Sequence, residues 1–233
     1  MTETKLYIAR HGKTMFNTIG RAQGWSDTPL TAAGERGIRE LGVGLAKLGL
    51  DFKLAFSSDS GRTIQTMGIL LEELELTGKI PYSYDKRIRE WCFGSLDGGY
   101  DAELFFGVLP RIYGKNVRFQ DLSYEEMARG IQEADTAGWA ESWEQIRHRI
   151  LTGFTDIAEA LKAQGGGKAL IVSHGMTINT LVHLIDPQLG KEGLDNGSVT
   201  VLSYGDRGFS VQEVGEMSYR QLGAEVLDGK STK

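Results

Sequence analysis

Cysteine is nearly missing from this chain of 233 residues: Cys92 stands alone, so no intrachain disulfide can form and the fold must rest on its apolar core. Positive charge is in deficit as well. Twenty-six Lys and Arg against 31 Asp and Glu leave a formal net charge of -5, which removes any general attraction to nucleic acid or an anionic membrane. No apolar run approaches the length that spans a bilayer, and the one in the N-terminal MTETKLYIAR is too short for a signal-peptide core. Internal repeats and low-complexity linkers are also missing. These absences describe a soluble, cytoplasmic protein in a reducing compartment. Its length and 40% hydrophobic content suit one domain with a full core. Any chemistry on anions must come from a few focused cations.

What is present alternates in period. Lys5–Arg10 (KLYIAR) reads as a short buried strand, and Thr31–Leu48 as a helix, with Ile38, Leu41, Leu45 and Leu48 at helical spacing and Gly49 as its stop. Lys53–Ser58 is a second strand, followed by a helix from Ser60, a plausible N-cap, to Leu74. Pro81–Asp85 is a candidate third strand. Trp139–Gln164 carries Trp143, Ile146, Ile150, Phe154, Ile157 and Leu161 three and four apart, which predicts a long helix ended by Gly165–Gly167. Lys168–Ser173 (KALIVS) is another apolar strand with Met176–Ile185 as its helix, and Ser198–Tyr204 with Phe209–Val214 form a terminal strand pair. The expected fold class is therefore α/β, a three-layer sandwich with a mainly parallel central sheet and helices on both faces. Residues 1–223 read as one domain with an irregular insertion at about 94–138, and Ala224–Lys233 as a mobile tail.

In open parallel sheets ligands bind beyond the carboxyl ends of the strands. The first strand runs into Arg10-His11-Gly12, the second is followed by Arg62 near a helix N-terminus, and KALIVS runs into His174-Gly175. Two arginines and two histidines thus meet at one edge. Guanidinium forks match phosphate oxygens, imidazole can attack phosphorus, and a helix N-terminus favours an anion. Gly12 and Gly175 are read as letting the backbone turn tightly beside bound oxygens. The pattern points to a small, intensely positive pocket on an acidic protein.

The segments RHGKTMFN (Arg10–Asn17), QGWSDTPLT (Gln23–Thr31), SSDSGRTIQT (Ser57–Thr66), RIREWCFGSLDG (Arg87–Gly98) and IVSHGMTI (Ile171–Ile178) resemble the histidine phosphatase superfamily, which includes cofactor-dependent phosphoglycerate mutases. The resemblance covers most of the chain in order, apart from about Tyr100–Gly138. It implies a phosphoglycerate mutase-like fold with His11 as nucleophile and with Arg10, Arg62 and His174 holding the transferring phosphoryl oxygens. Asn17 and Gln23 or Gly24 would line the phosphate loop, and Glu90 would be the proton donor and then the activator of water. That scheme requires neither a metal nor another cofactor, since the arginines supply the positive charge. Glu90 lies between Arg87, Arg89 and the pocket arginines, and an exposed ion-pair role is its competing reading.

Other readings are weaker. His148 and His183 fall inside predicted helices, away from strand ends, and are expected to pack or face solvent. A zinc site is disfavoured by the arginine that accompanies each pocket histidine. Cys92 has no base or amide-rich loop nearby and reads as structural. Gly165–Gly167 precedes a strand instead of following one, which argues against a nucleotide loop. Ser57, Ser58 and Ser60 lack the nucleophile-elbow pattern of a serine hydrolase.

The mutases of this family carry a paired-arginine segment after the glutamate, whereas here Arg111, Lys115 and Arg118 are separated and Pro110 stands alone. Asn196-Gly197-Ser198-Val199-Thr200-Val201 also resembles the phosphatase branch. The expectation is a metal-independent phosphomonoesterase acting through a phosphohistidine on a small phosphate ester, with no nucleic acid or membrane partner and with oligomeric assembly left open. A cofactor-dependent phosphoglycerate mutase and a catalytically silent phosphate-binding scaffold are the alternatives. The aromatic and cationic 94–138 segment (Phe105, Phe106, Arg111, Tyr113, Arg118) is expected to cover the substrate.

Overall fold

The computed structural model describes residues 3–114, 121–190 and 193–229. Among the described residues six strands form one sheet in the order β3-β2-β4-β1-β5-β6, where β1 is Thr4–Arg10, β2 Phe52–Ser57, β3 Tyr82–Tyr84, β4 Gly167–Ser173, β5 Val199–Gly205 and β6 Gly208–Glu216. The first four neighbours in that order run parallel, and β5 and β6 are antiparallel. Side-chain alternation divides the core in two. Leu6, Ile8, Leu54, Ala169 and Ile171 face one layer of helices, while Tyr7, Ala9, Ala55, Leu170 and Val172 face the other.

The first layer contains α6 (Tyr124–Ala134), α7 (Trp143–Ala163) and α8 (Gly175–Ile185); the second contains α2 (Ala32–Lys47), α3 (Gly61–Glu73) and α9 (Ser218–Leu227). This is the three-layer α/β sandwich expected. Two boundaries and one cap differ from the reading of the sequence. The long helix begins at Trp143, four residues later than predicted, because Ser142 and Gln145 form a capping box and Asp135 folds the preceding loop by accepting from the amides of Ala137, Trp139 and Ala140. Ser60 occupies the N-cap of α3 without a side-chain cap bond; the amide of Arg62 donates instead to Asp27 Oδ1.

Ala224–Leu227, expected to open a tail, are the last turn of α9. That helix crosses α2 at glycines: a Cβ on Gly44 would fall 1.8 Å from the Tyr219 carbonyl oxygen, and one on Gly223 1.6 Å from that of Glu40. Backbones can approach so closely only without side chains between them. The last four tail residues lie outside the described ones.

The described residues of the 94–138 insertion are largely helical. A short helix (α4, Asp101–Glu103), a π-helical turn (Leu104–Val108) and α5 (Leu109–Tyr113) follow one another, and α6 begins at a capping box between Ser123 and Glu126. Lys115 and Arg118 lie outside the described residues. A short helix after β1, α1 (Met15–Ile19), is likewise capped by Thr14 and Asn17.

Candidate active site

Register brings the chemistry together. Arg10 pairs with Ser173 across β1 and β4, and Ser57 pairs with Val172 across β2 and β4, so all three carboxyl ends finish at one edge. The residues next in the chain are His11, His174 and Ser58. A cavity of about 440 Å³ opens there, and its wall includes Arg10, His11, Asn17, Gln23, Gly24, Arg62 and Glu90.

His11 is buried, and its Nδ1 lies 2.9 Å from the Gly12 carbonyl oxygen. That oxygen can only accept, so Nδ1 carries the proton and Nε2 is left with its lone pair. Burial, and then the charges of Arg62 and Arg10, hold the ring well below the usual imidazole range. A neutral imidazole with a free nitrogen is the nucleophilic form.

Around it the buried polar inventory is incomplete. Arg10 Nε, Arg62 Nε and Gln23 Nε2 have no hydrogen-bond partner, and all three belong to residues of the cavity wall. With His11 on the same wall, the guanidinium groups of Arg10 and Arg62 and the amide of Gln23 form a cationic cradle for an oxyanion. The rest of each side chain is fixed. Arg62 donates through Nη1 to the Ser26 carbonyl and Asp27 Oδ1 and through Nη2 to the Gly24 carbonyl. Arg10 reaches the Leu194 carbonyl, and Gln23 Oε1 accepts from Thr14.

His174 is held at both ring nitrogens. Its Nδ1 accepts from Arg62 Nη2 at 3.0 Å and its Nε2 donates to Ser58 Oγ at 2.8 Å. Both ring nitrogens are occupied, and His174 stands behind Arg62 and not among the described residues of the cavity wall. Burial and Arg62 hold it well below the usual range too.

Glu90 meets neither flanking arginine. Arg87 pairs with Asp85 and Asp156, and Arg89 with Asp59, which removes the ion-pair reading. The Glu90 carboxylate instead sits over the first turn of α8, where it accepts from the amides of Met176 and Thr177 and from the Thr177 hydroxyl. Arg149 fixes the adjoining backbone by donating to the carbonyls of Arg87, Arg89 and Glu90. Nothing local in the sequence marked Arg149, Thr177 or Asp27 for these duties, since each partner is 35 to 87 residues away.

The two glycines act through packing. A Cβ on Gly12 would meet Ile38 Cγ1 at 2.8 Å, and one on Gly175 would press within 3.4 Å of Arg10 Nε; neither has a positive φ. Gly24 is the site glycine with left-handed backbone, at φ +43°. Asn17 Oδ1 is spent on the Thr14 amide and Asn196. Away from the cavity wall, His148 is exposed, His183 packs on Tyr124, and burial pushes the Cys92 thiol up. Among the described residues no cluster of His, Cys, Asp and Glu is placed to hold a metal ion, and no helix is long and apolar enough to cross a membrane.

A Salmonella newport (strain SL254) protein named "Probable phosphoglycerate mutase GpmB" is 28% identical over 237 residues, covering 96% of this chain and 97% of the relative. The crystal structure of a phosphoglycerate mutase from Bacillus anthracis str. Sterne superposes with a TM-score of 0.90 at 36% identity, over 96% of this chain and 98% of that one. A mycobacterial glucosyl-3-phosphoglycerate phosphatase in complex with VO3 shares the fold, with a TM-score of 0.66 at 23% identity over 90% and 98% of the two chains. The sequence model of the histidine phosphatase superfamily (branch 1) matches residues 6–217, and the chain belongs to that family.

Proposed function

We propose that this protein is a metal-independent phosphomonoesterase that passes the phosphoryl group of a small ester through Nε2 of His11 to water. The observation that carries the reading is the neutral, buried His11 on one cavity wall with Arg10, Gln23 and Arg62. Nε2 attacks phosphorus, the ester P–O bond breaks, and the leaving oxygen takes a proton from the Glu90 carboxyl. Water then attacks the phosphohistidine and returns a proton to Glu90, the P–N bond breaks, and inorganic phosphate leaves. The guanidinium groups of Arg10 and Arg62 neutralise charge on the transferring oxygens, the duty a metal performs elsewhere.

A mutase is the second reading, favoured by the names of the relatives at 28% and 36% identity. The phosphatase is preferred because the cavity wall among the described residues adds only Arg21 as a further cation to anchor a substrate carboxylate. Hydrolysis of p-nitrophenyl phosphate in EDTA tests the proposal: activity in the wild type and its loss in His11→Ala are expected. Equal activity in both would remove His11 as nucleophile. Conversion of 3-phosphoglycerate to its 2-isomer without phosphate release would establish the mutase instead, and binding of phosphate without turnover of any ester the silent scaffold.

A further inference from the structure

The cavity is much larger than its phosphoryl cradle, and its outer wall has a different chemistry. Beyond the arginines it is built from Phe93, Phe105, Leu122, Met127, Met176 and Leu194, contributed by five separate stretches of chain. The ring of Tyr124 joins them, but its hydroxyl is already donated to the Gly190 carbonyl, so it offers a face and no polar handle. At about 440 Å³ the space falls in the range that holds an organic ligand of some bulk.

Among the described residues, a carboxylate on this wall opposes a second anion. Arg21 donates to the Gly98 carbonyl and stacks 4.3 Å over the Tyr100 ring, contacts that fix its position without cancelling its charge. Asp101, which follows Tyr100, is a carboxyl on the same wall, and a substrate carboxylate there would meet it. Asn179 adds an amide, which carries no charge.

We infer that the organic half of the substrate is uncharged and apolar, of the size of an aromatic ring or a short alkyl chain, and is held by Phe105, Met127 and their neighbours while the phosphoryl group sits at His11. This deepens the phosphatase reading and rests on its placement of the phosphoryl group. It separates this site from one built for a short phosphorylated acid, where a cation would stand in place of the apolar wall.

The test is a series of phosphonates, which bind without being cleaved, titrated calorimetrically into the wild-type protein: methyl-, propyl-, butyl- and phenylphosphonate against 2-carboxyethylphosphonate. The dissociation constant should fall about fourfold per added methylene, the gain expected for burying a CH2. The carboxyethyl compound should bind at least about tenfold more weakly than propylphosphonate, as one repelled charge implies. Phe105→Ser should flatten the series. A flat series in the wild type, or tighter binding of the carboxyethyl compound, would overturn the inference. Because the readout is binding, it holds whether or not the p-nitrophenyl phosphate assay succeeds, and the two failures are distinguishable.

Discussion

Nη2 of Arg62 donates to Nδ1 of His174 at 3.0 Å, and this one bond fixes a chain of donors. With Nδ1 accepting, Nε2–H must donate to Ser58 Oγ, whose hydroxyl proton passes to Thr63 Oγ1, which in turn donates to the Ser58 or Ser60 carbonyl. Every member is buried. His174 therefore holds Arg62 while Ser58 holds His174. Ser58→Ala should leave a buried ring N–H unpaired and cost about 1–3 kcal/mol in urea unfolding. His174→Ala should lower kcat by on the order of 100-fold through a displaced Arg62, with His174→Gln recovering part of it. Full kcat in His174→Ala would show that Arg62 needs no such support.

Glu90 gives a prediction that depends on the leaving group. A p-nitrophenolate departs without help, whereas an alkoxide needs a proton. Glu90→Gln should therefore reduce hydrolysis of an alkyl phosphate by about 10²–10⁴-fold, the usual reach of general acid catalysis, and that of p-nitrophenyl phosphate by less. Equal losses on both substrates would mean that Glu90 matters only as an anchor for α8.

The strands and the edge where they end were legible in the sequence because both follow from local pattern: apolar runs fix KLYIAR and KALIVS, and the residue after each is read directly. Partners far apart in sequence were not. Asp27 replacing Ser60 at the N-terminus of α3, and Glu90 over α8, depend on loops folding across the sheet edge. Helix α6 was signalled by the Ser123–Glu126 capping box, but the broken periodicity before it hid the signal. α9 was missed because its inward face is made partly of glycine, and Gly223 contributes contact without contributing hydrophobic pattern.

Stability should carry the mark of the depressed histidines. His11 and His174 stay neutral in the folded protein below pH 6.5, whereas in the unfolded chain they take up protons there. The unfolded state then binds more protons, so stability falls as pH drops below about 6.5. Asp97 acts in the opposite sense. Burial pushes its carboxyl up to about 7, so between about pH 4 and 7 the folded state binds the extra proton and stability falls as pH rises. Between pH 5 and 6, His174→Gln should reduce the slope of unfolding free energy against pH by about one proton, and Asp97→Asn should increase it by about one. Unchanged slopes in urea titrations would contradict these environments.

The loop that carries Gly24 joins Asp97 to the cradle. The Gly24 carbonyl receives Arg62 Nη2 at 2.8 Å, and the next amide, that of Trp25, donates to Asp97 Oδ2 at 3.1 Å. A Cβ on Gly24 would fall 1.8 Å from Asp97 Oδ1 while forcing an L-residue to φ +43°. Gly24→Ala should thus incur two separable costs, roughly 1–2 kcal/mol of backbone strain and a similar amount for displacing the carboxyl. It should also raise KM, since the Arg62 contact moves with the loop. Asp97→Ala relieves the second cost only, so unfolding of the two single variants and the double should show a favourable coupling of about 1–2 kcal/mol. Strict additivity would place the whole defect in the backbone, and an unchanged KM in Gly24→Ala would detach this loop from the phosphoryl site.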